Sequence, residues 1–74
     1  MDRRNELLIT ARDNRGLTQA QIAEKAGISV AAYQCYEYGS RKPSVETAIR
    51  IAKILNSTVE DLFGAGTPNK SSTN

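Results

Sequence analysis

The chain has no histidine and only one cysteine, Cys35, in 74 residues. Histidine is the usual general base at neutral pH, and nothing takes its place. There is no metal-ligand cluster, no Gly-rich phosphate loop and no nucleophile–base pair. The chain therefore reads as a protein that is not an enzyme and needs no cofactor or metal. A lone cysteine cannot close an internal disulfide, which excludes a disulfide-stapled scaffold and suits a cytoplasmic setting. No apolar run approaches the ~18 residues of a membrane span. The start, MDRRNELL, lacks the apolar core and small-residue cleavage site of a signal peptide. Internal repeats and strand-like alternation are also missing.

What is present is a small soluble domain. Hydrophobic residues make up 39% and charged residues 24%, a globular balance and not a disordered one. A chain of this length holds one domain with a small core and modest stability. The net charge of +2 is a mild basic bias, compatible with nucleic acid but not diagnostic of it. Glu24, Glu46, Glu60 and Asp61 fall at solvated or helix-start positions, where surface charge or capping accounts for them.

The organising stretch is LTQAQIAEKAGISVAAYQCYEYG, residues 17–39. Thr18 and Gln21 have the spacing of a capping box, with Leu17 and Ile22 placed as a hydrophobic staple around it. The helix so started runs to Ala26 and turns Ile22, Ala23 and Ala26 inward. Gln19, Gln21, Glu24 and Lys25 remain for solvent or a partner. Gly27 stops it. Ser29 caps the next helix almost at once, and Ile28 and Tyr33 can staple across that cap. Two short helices joined by so tight a turn make a helix-turn-helix, whose second helix projects a face able to enter a DNA major groove.

That second helix, Ser29 to Tyr38, divides on a helical wheel. Ala32, Tyr33 and Tyr36 lie on one side and continue the apolar stripe, so these tyrosines read as core. Val30, Ala31, Gln34, Cys35 and Tyr38 lie on the other. Upstream, a first helix is expected from Asp2 to about Arg15. Leu8, Ala11 and Arg12 share its inner face, Leu7 lies beside them, and Gly16 is its stop. Downstream, Gly39 ends the recognition helix and Ser40–Pro43 forms an exposed basic loop. Ser44 caps a fourth helix to about Leu55, with Ala48, Ile51, Ala52 and Leu55 inward and Val45, Ile49 and Ile54 partly uncovered. Asn56 can supply a left-handed stop. Thr58 and Asp61 then start a short fifth helix, whose Val59, Leu62 and Phe63 close the core. Residues 1–63 thus form the domain, and 64–74 a polar tail expected to be disordered.

LTQAQIAEKAGIS, YEYGSRKPS and TAIRIAKILNSTVEDLF, in this order and spacing, resemble the helix-turn-helix domain of Cro-like and phage-repressor-like (Xre-like) regulators over residues 4–63. The resemblance implies an all-α, lambda-repressor-like bundle of five short helices. It implies sequence-specific binding to double-stranded DNA, usually as a homodimer on a near-palindromic site. Position by position, it assigns Gln19 to the DNA backbone and at times a base, and Val30, Ala31, Gln34 and Cys35 to the groove. Thr18, Tyr38, Arg41 and Lys42 match backbone-contacting positions. Arg12 and Glu37 match a structural salt bridge that orients the recognition helix.

The chain departs from the family at Val30 and Cys35, where arginine or lysine is common, so the groove-facing side carries no full charge. Only Gln34 offers a bidentate amide, suited to adenine N6 and N7, while Val30 and Ala31 suit a thymine methyl. Cys35 reads as a bystander thiol, with no flanking histidine to activate it. A lone strong reader on so small a domain calls for a dimer or a partner. The expected function is a transcriptional regulator, a repressor acting by operator occlusion. The alternative is a protein-interaction module on the same fold, of antitoxin or bridging-factor type, which the uncharged helix face favours.

Overall fold

The computed structural model describes residues 4–64. They form five helices: α1 (Glu6–Asn14), α2 (Gln19–Ala26), α3 (Val30–Tyr38), α4 (Val45–Ile54) and α5 (Val59–Phe63). No strand occurs among the described residues. The fold is all-α, as the hydrophobic periodicity indicates.

Side-chain caps set most of the helix starts. Thr18 Oγ1 accepts from the Gln21 N–H at 3.0 Å and Gln21 Oε1 accepts from the Thr18 N–H at 2.8 Å, a complete capping box. Ser29, Ser44 and Thr58 accept from the N–H groups of Ala32, Thr47 and Asp61. Each satisfies a backbone donor that a helix start leaves unpaired. At the other end of α2, Gly27 has φ +75°, a left-handed conformation that a Cβ would strain. Asn56 stops α4 with φ +55°, where asparagine is the side chain best suited after glycine.

The first helix differs from expectation. It starts at Glu6 and not at Asp2, because Asn5 is its cap: Asn5 Oδ1 accepts from the Leu8 N–H at 3.0 Å. A helix running on through Asn5 would forfeit this cap. Asp2 itself, and the expected tail beyond Gly64, lie outside the described residues.

The core gathers Leu8 of α1, Ile22, Ala23 and Ala26 of α2, Tyr33 of α3, Ile51 and Ala52 of α4, Leu55 at the end of α4, and Leu62 of α5. Ala11, Leu17, Ile28, Tyr36, Ile54, Val59 and Phe63 pack around it half-buried. Tyr33 and Tyr36 meet edge to face, 6.4 Å between centroids and 78° between planes, a favoured aromatic geometry. Ile54 is therefore part of the core rim. Val45 and Ile49 remain exposed on α4. The core holds α2 and α3 from behind and leaves the outer face of α3 clear.

Candidate nucleic-acid interface

The outer face of α3 presents Val30, Ala31 and Tyr38 to solvent, with Gln34 and Cys35 half-buried between them. Tyr38 is 59% exposed at the far end of the helix. Beyond it the chain folds back on α3. The Cys35 carbonyl accepts from the Ser40 N–H at 3.1 Å and the Arg41 N–H at 3.4 Å. This fixes the start of the basic loop against the helix and leaves the Arg41 and Lys42 side chains exposed beside it. Thr18 is exposed at the amino end of α2, its hydroxyl engaged in the cap.

Gln19 is not left free for solvent. It is half-buried in a polar chain that joins three helices. Gln34 Nε2 of α3 donates to Gln19 Oε1 of α2 at 3.1 Å. Gln19 Nε2 donates to Glu37 Oε1 at 2.8 Å. Glu37, buried on α3, accepts from Arg12 Nε of α1 at 2.6 Å and from a second guanidinium nitrogen at 3.4 Å. The remaining Arg12 arm donates to the Leu17 carbonyl at 2.8 Å, just before the α2 cap. Arg12 and Glu37 pair where the resemblance implied a salt bridge, but the sequence alone missed the two glutamine links. The two glutamines stand 15 residues apart on separate helices, and only the packing of α2 against α3 brings them together.

Burial alone would push the Glu37 carboxyl up. Hydrogen bonds from Arg12 and Gln19, the nearby Tyr33 hydroxyl and the Arg12 charge outweigh burial and hold it below its ordinary 4.5. The same pairing raises Arg12. The Tyr33 hydroxyl is buried without a well-formed hydrogen bond. Desolvation, with the Glu37 charge close by, pushes its pKa far up, so it stays neutral. The outer face of α3 is thus uncharged and backed by one buried ion pair, with Arg41 and Lys42 exposed at the loop beside it.

Among the described residues, no group of His, Cys, Asp and Glu could hold a metal, and no helix is long and apolar enough to cross a membrane.

A capped α2, a tight turn and an outward α3, held by an all-α bundle, define a helix-turn-helix domain. The helix-turn-helix family matches residues 8–62, from within α1 to within α5, and the chain belongs to it. It is a family of DNA-binding regulator domains and not of enzymes. The chain is similar to YqaE, an uncharacterised HTH-type transcriptional regulator of Bacillus subtilis. The two are 41% identical over 59 residues, covering 80% of this chain and 51% of that protein. It is also similar to RstR, a transcriptional repressor of the cryptic phage CTXphi in Vibrio cholerae, at 37% identity over 59 residues, 80% of this chain and 53% of the relative. The chain thus spans about half the length of these curated relatives. Among solved structures it resembles the restriction-modification controller protein C.AhdI of Aeromonas hydrophila. The TM-score is 0.73 at 25% identity, over 80% of this chain and 89% of that one. The fold is also that found in a complex of the SinR and SinI proteins, with TM-score 0.75 at 20% identity, over 88% of this chain and 64% of that one.

Proposed function

We propose that this domain is a sequence-specific regulator of transcription that sets α3 into the major groove of duplex DNA and represses by occluding its operator as a homodimer. The observation that carries this reading is the amide pair that joins Gln34, on the outer face of α3, to Gln19 at the start of α2. It holds a bidentate group ready among small and apolar neighbours. After donating to Gln19, Gln34 keeps one N–H and its carbonyl oxygen, the pair that adenine N7 and N6 require. Val30 and Ala31 beside it suit thymine methyls, and Cys35 fills the space between without charge. Thr18 and Gln19, with the α2 amino end, take a phosphate on one side. Tyr38, Arg41 and Lys42 take the backbone on the other. Few cations reach the DNA, so one domain alone binds weakly and two half-sites about one helical turn apart are needed. The membership of the family and the repressor and regulator names of its relatives support this reading.

The uncharged α3 face favours a second reading, a protein-interaction module of antitoxin or bridging type. One experiment separates the two. Rounds of enrichment from a randomised duplex library, at two salt concentrations, are expected to yield a two-fold-symmetric site, with Gln34→Ala relaxing one base position in each half. Weak binding that enriches nothing and vanishes with salt would instead turn the search to a protein partner.

A further inference from the structure

The Gln34 amide is not a free rotor. A carboxylate only accepts hydrogen bonds, a guanidinium only donates, and an amide does one at each end. Glu37 takes Arg12 on one side and must be met by a donor on the other. Gln19 therefore turns its Nε2 to Glu37, at 2.8 Å, and its Oε1 to Gln34. Gln34 in turn must answer with Nε2, at 3.1 Å. The ion pair between α1 and α3 thereby sets the sense of every amide out to the groove-facing surface.

We propose that Glu37 is a positioning residue for base readout: through Gln19 it fixes which way round the Gln34 amide faces the groove, and so which strand of the contacted base pair must carry the adenine. This rests on the reading that α3 enters the major groove. An amide turned by 180° exchanges its donor and acceptor. Adenine shows N7 as acceptor and N6 as donor, and the order of the two across the groove reverses between A·T and T·A. An unfixed amide can follow either order. One held by Gln19 and Glu37 can follow only one. The held amide also has less rotamer freedom to lose on binding, which favours the matched pair.

The test has two parts. In the free protein, side-chain amide resonances of isotope-labelled Gln19 and Gln34 report the chain of hydrogen bonds directly. Glu37→Gln is expected to shift the Gln34 amide pair, and unchanged Gln34 resonances overturn the proposal. On DNA, Glu37→Gln is expected to lose the preference for A·T over T·A at the base pair read by Gln34, by about tenfold. Gln34→Ala should lose it equally, and the double variant no further. A role for Glu37 in stability alone would leave this strand preference intact, and a retained preference overturns the proposal. If Glu37→Gln does not fold, Gln19→Met breaks the chain while keeping the Arg12–Glu37 pair. It is expected to show the same loss, and full preference in it is equally fatal. A wild-type protein that enriches no site overturns the groove reading and the proposal with it. Unchanged amide spectra overturn the proposal and leave the groove reading standing.

Discussion

Asn5 and Leu62 lie 57 residues apart in the chain and are joined by a hydrogen bond, Asn5 Nδ2 to the Leu62 carbonyl at 2.8 Å. The same residue caps α1 through its side-chain oxygen, and its backbone N–H donates to the Glu37 carbonyl at 2.8 Å. One asparagine thus ties α1 to α5 and to the end of α3. Its amide is used at both ends, acceptor within α1 and donor to α5. Asn5→Ala removes a cap worth about 1 kcal/mol and a hydrogen bond worth about as much again. A loss of about 2 kcal/mol in urea unfolding is expected. Asn5→Ser keeps a capping oxygen and loses the donor to α5, so about half that loss should remain. Equal losses in the two variants would assign the whole effect to the α5 contact.

Arg12 and Glu37 carry the largest electrostatic stake in the fold. Both side chains are largely buried, 14% and 3% exposed. Replacing Arg12 by methionine leaves the carboxylate buried without its cation, an expected cost of about 3 kcal/mol or more at neutral pH. The pH dependence follows from the lowered Glu37 value. A carboxyl held lower when folded than when unfolded contributes stability that is complete above its unfolded value of about 4.3. That contribution is lost as the pH falls through the folded value. Stability from this pair should therefore be level from neutral pH to about 5 and decline in acid. Arg12→Met should show a smaller decline, or none. Urea unfolding at neutral pH and at about pH 3 measures both, and an equal acid loss in the two proteins would assign the decline to other carboxyls.

The elements were legible in the sequence wherever a local signal marks them. Thr18 with Gln21, Ser29, Ser44 and Thr58 each announce a helix start within three residues, and Gly27 and Asn56 announce stops. The inward stripes of α2 and α4 follow from spacing alone. The start of α1 did not, because Asp2 and Asn5 both have the chemistry of a cap. The choice between them is made at Leu62 and Glu37, far away in the chain. The candidate site was legible as a list of positions and not as an arrangement. Gln34 on the outer face of α3 is a matter of helical phase. That Gln19 turns inward to bridge Gln34 and Glu37 depends on how closely α2 and α3 pack, which no local pattern encodes. The same holds for Ile54, whose place on the core rim depends on its neighbours and not on its spacing in α4.

Arg41 and Lys42 are expected to contribute charge and not sequence preference. Each cation that neutralises a phosphate adds about 0.9 to the slope of log affinity against log salt. Arg41→Ala and Lys42→Ala should each flatten that slope by about this amount and weaken all duplexes alike. Gln34→Ala should leave the slope unchanged and weaken only the matched site. Titrations of matched and unrelated duplexes over a range of salt make the comparison. A sequence preference lost with Arg41 would move that residue from backbone to base.

The exposed face of α4 is where the proposed homodimer should form. Val45 and Ile49, one helical turn apart, are 76% and 42% exposed. Beside them Glu46 and Arg50 pair at 3.5 Å on the same helix. An apolar centre with one charge of each sign at its edge is self-complementary. When two such faces meet about a two-fold axis, each Glu46 can approach the other copy's Arg50. Val45→Glu with Ile49→Glu puts like charges at the centre of that contact. Because both positions are solvent-facing in one copy, the change should move folding stability by only about 0.5 kcal/mol. Sedimentation should then show a monomer where the unaltered chain dimerises. On DNA the variant should occupy single half-sites without cooperativity and protect a correspondingly shorter stretch. A variant that still dimerises, or still binds both half-sites together, places the interface elsewhere on the bundle. Loss of folding would instead make these residues part of the core, against their exposure.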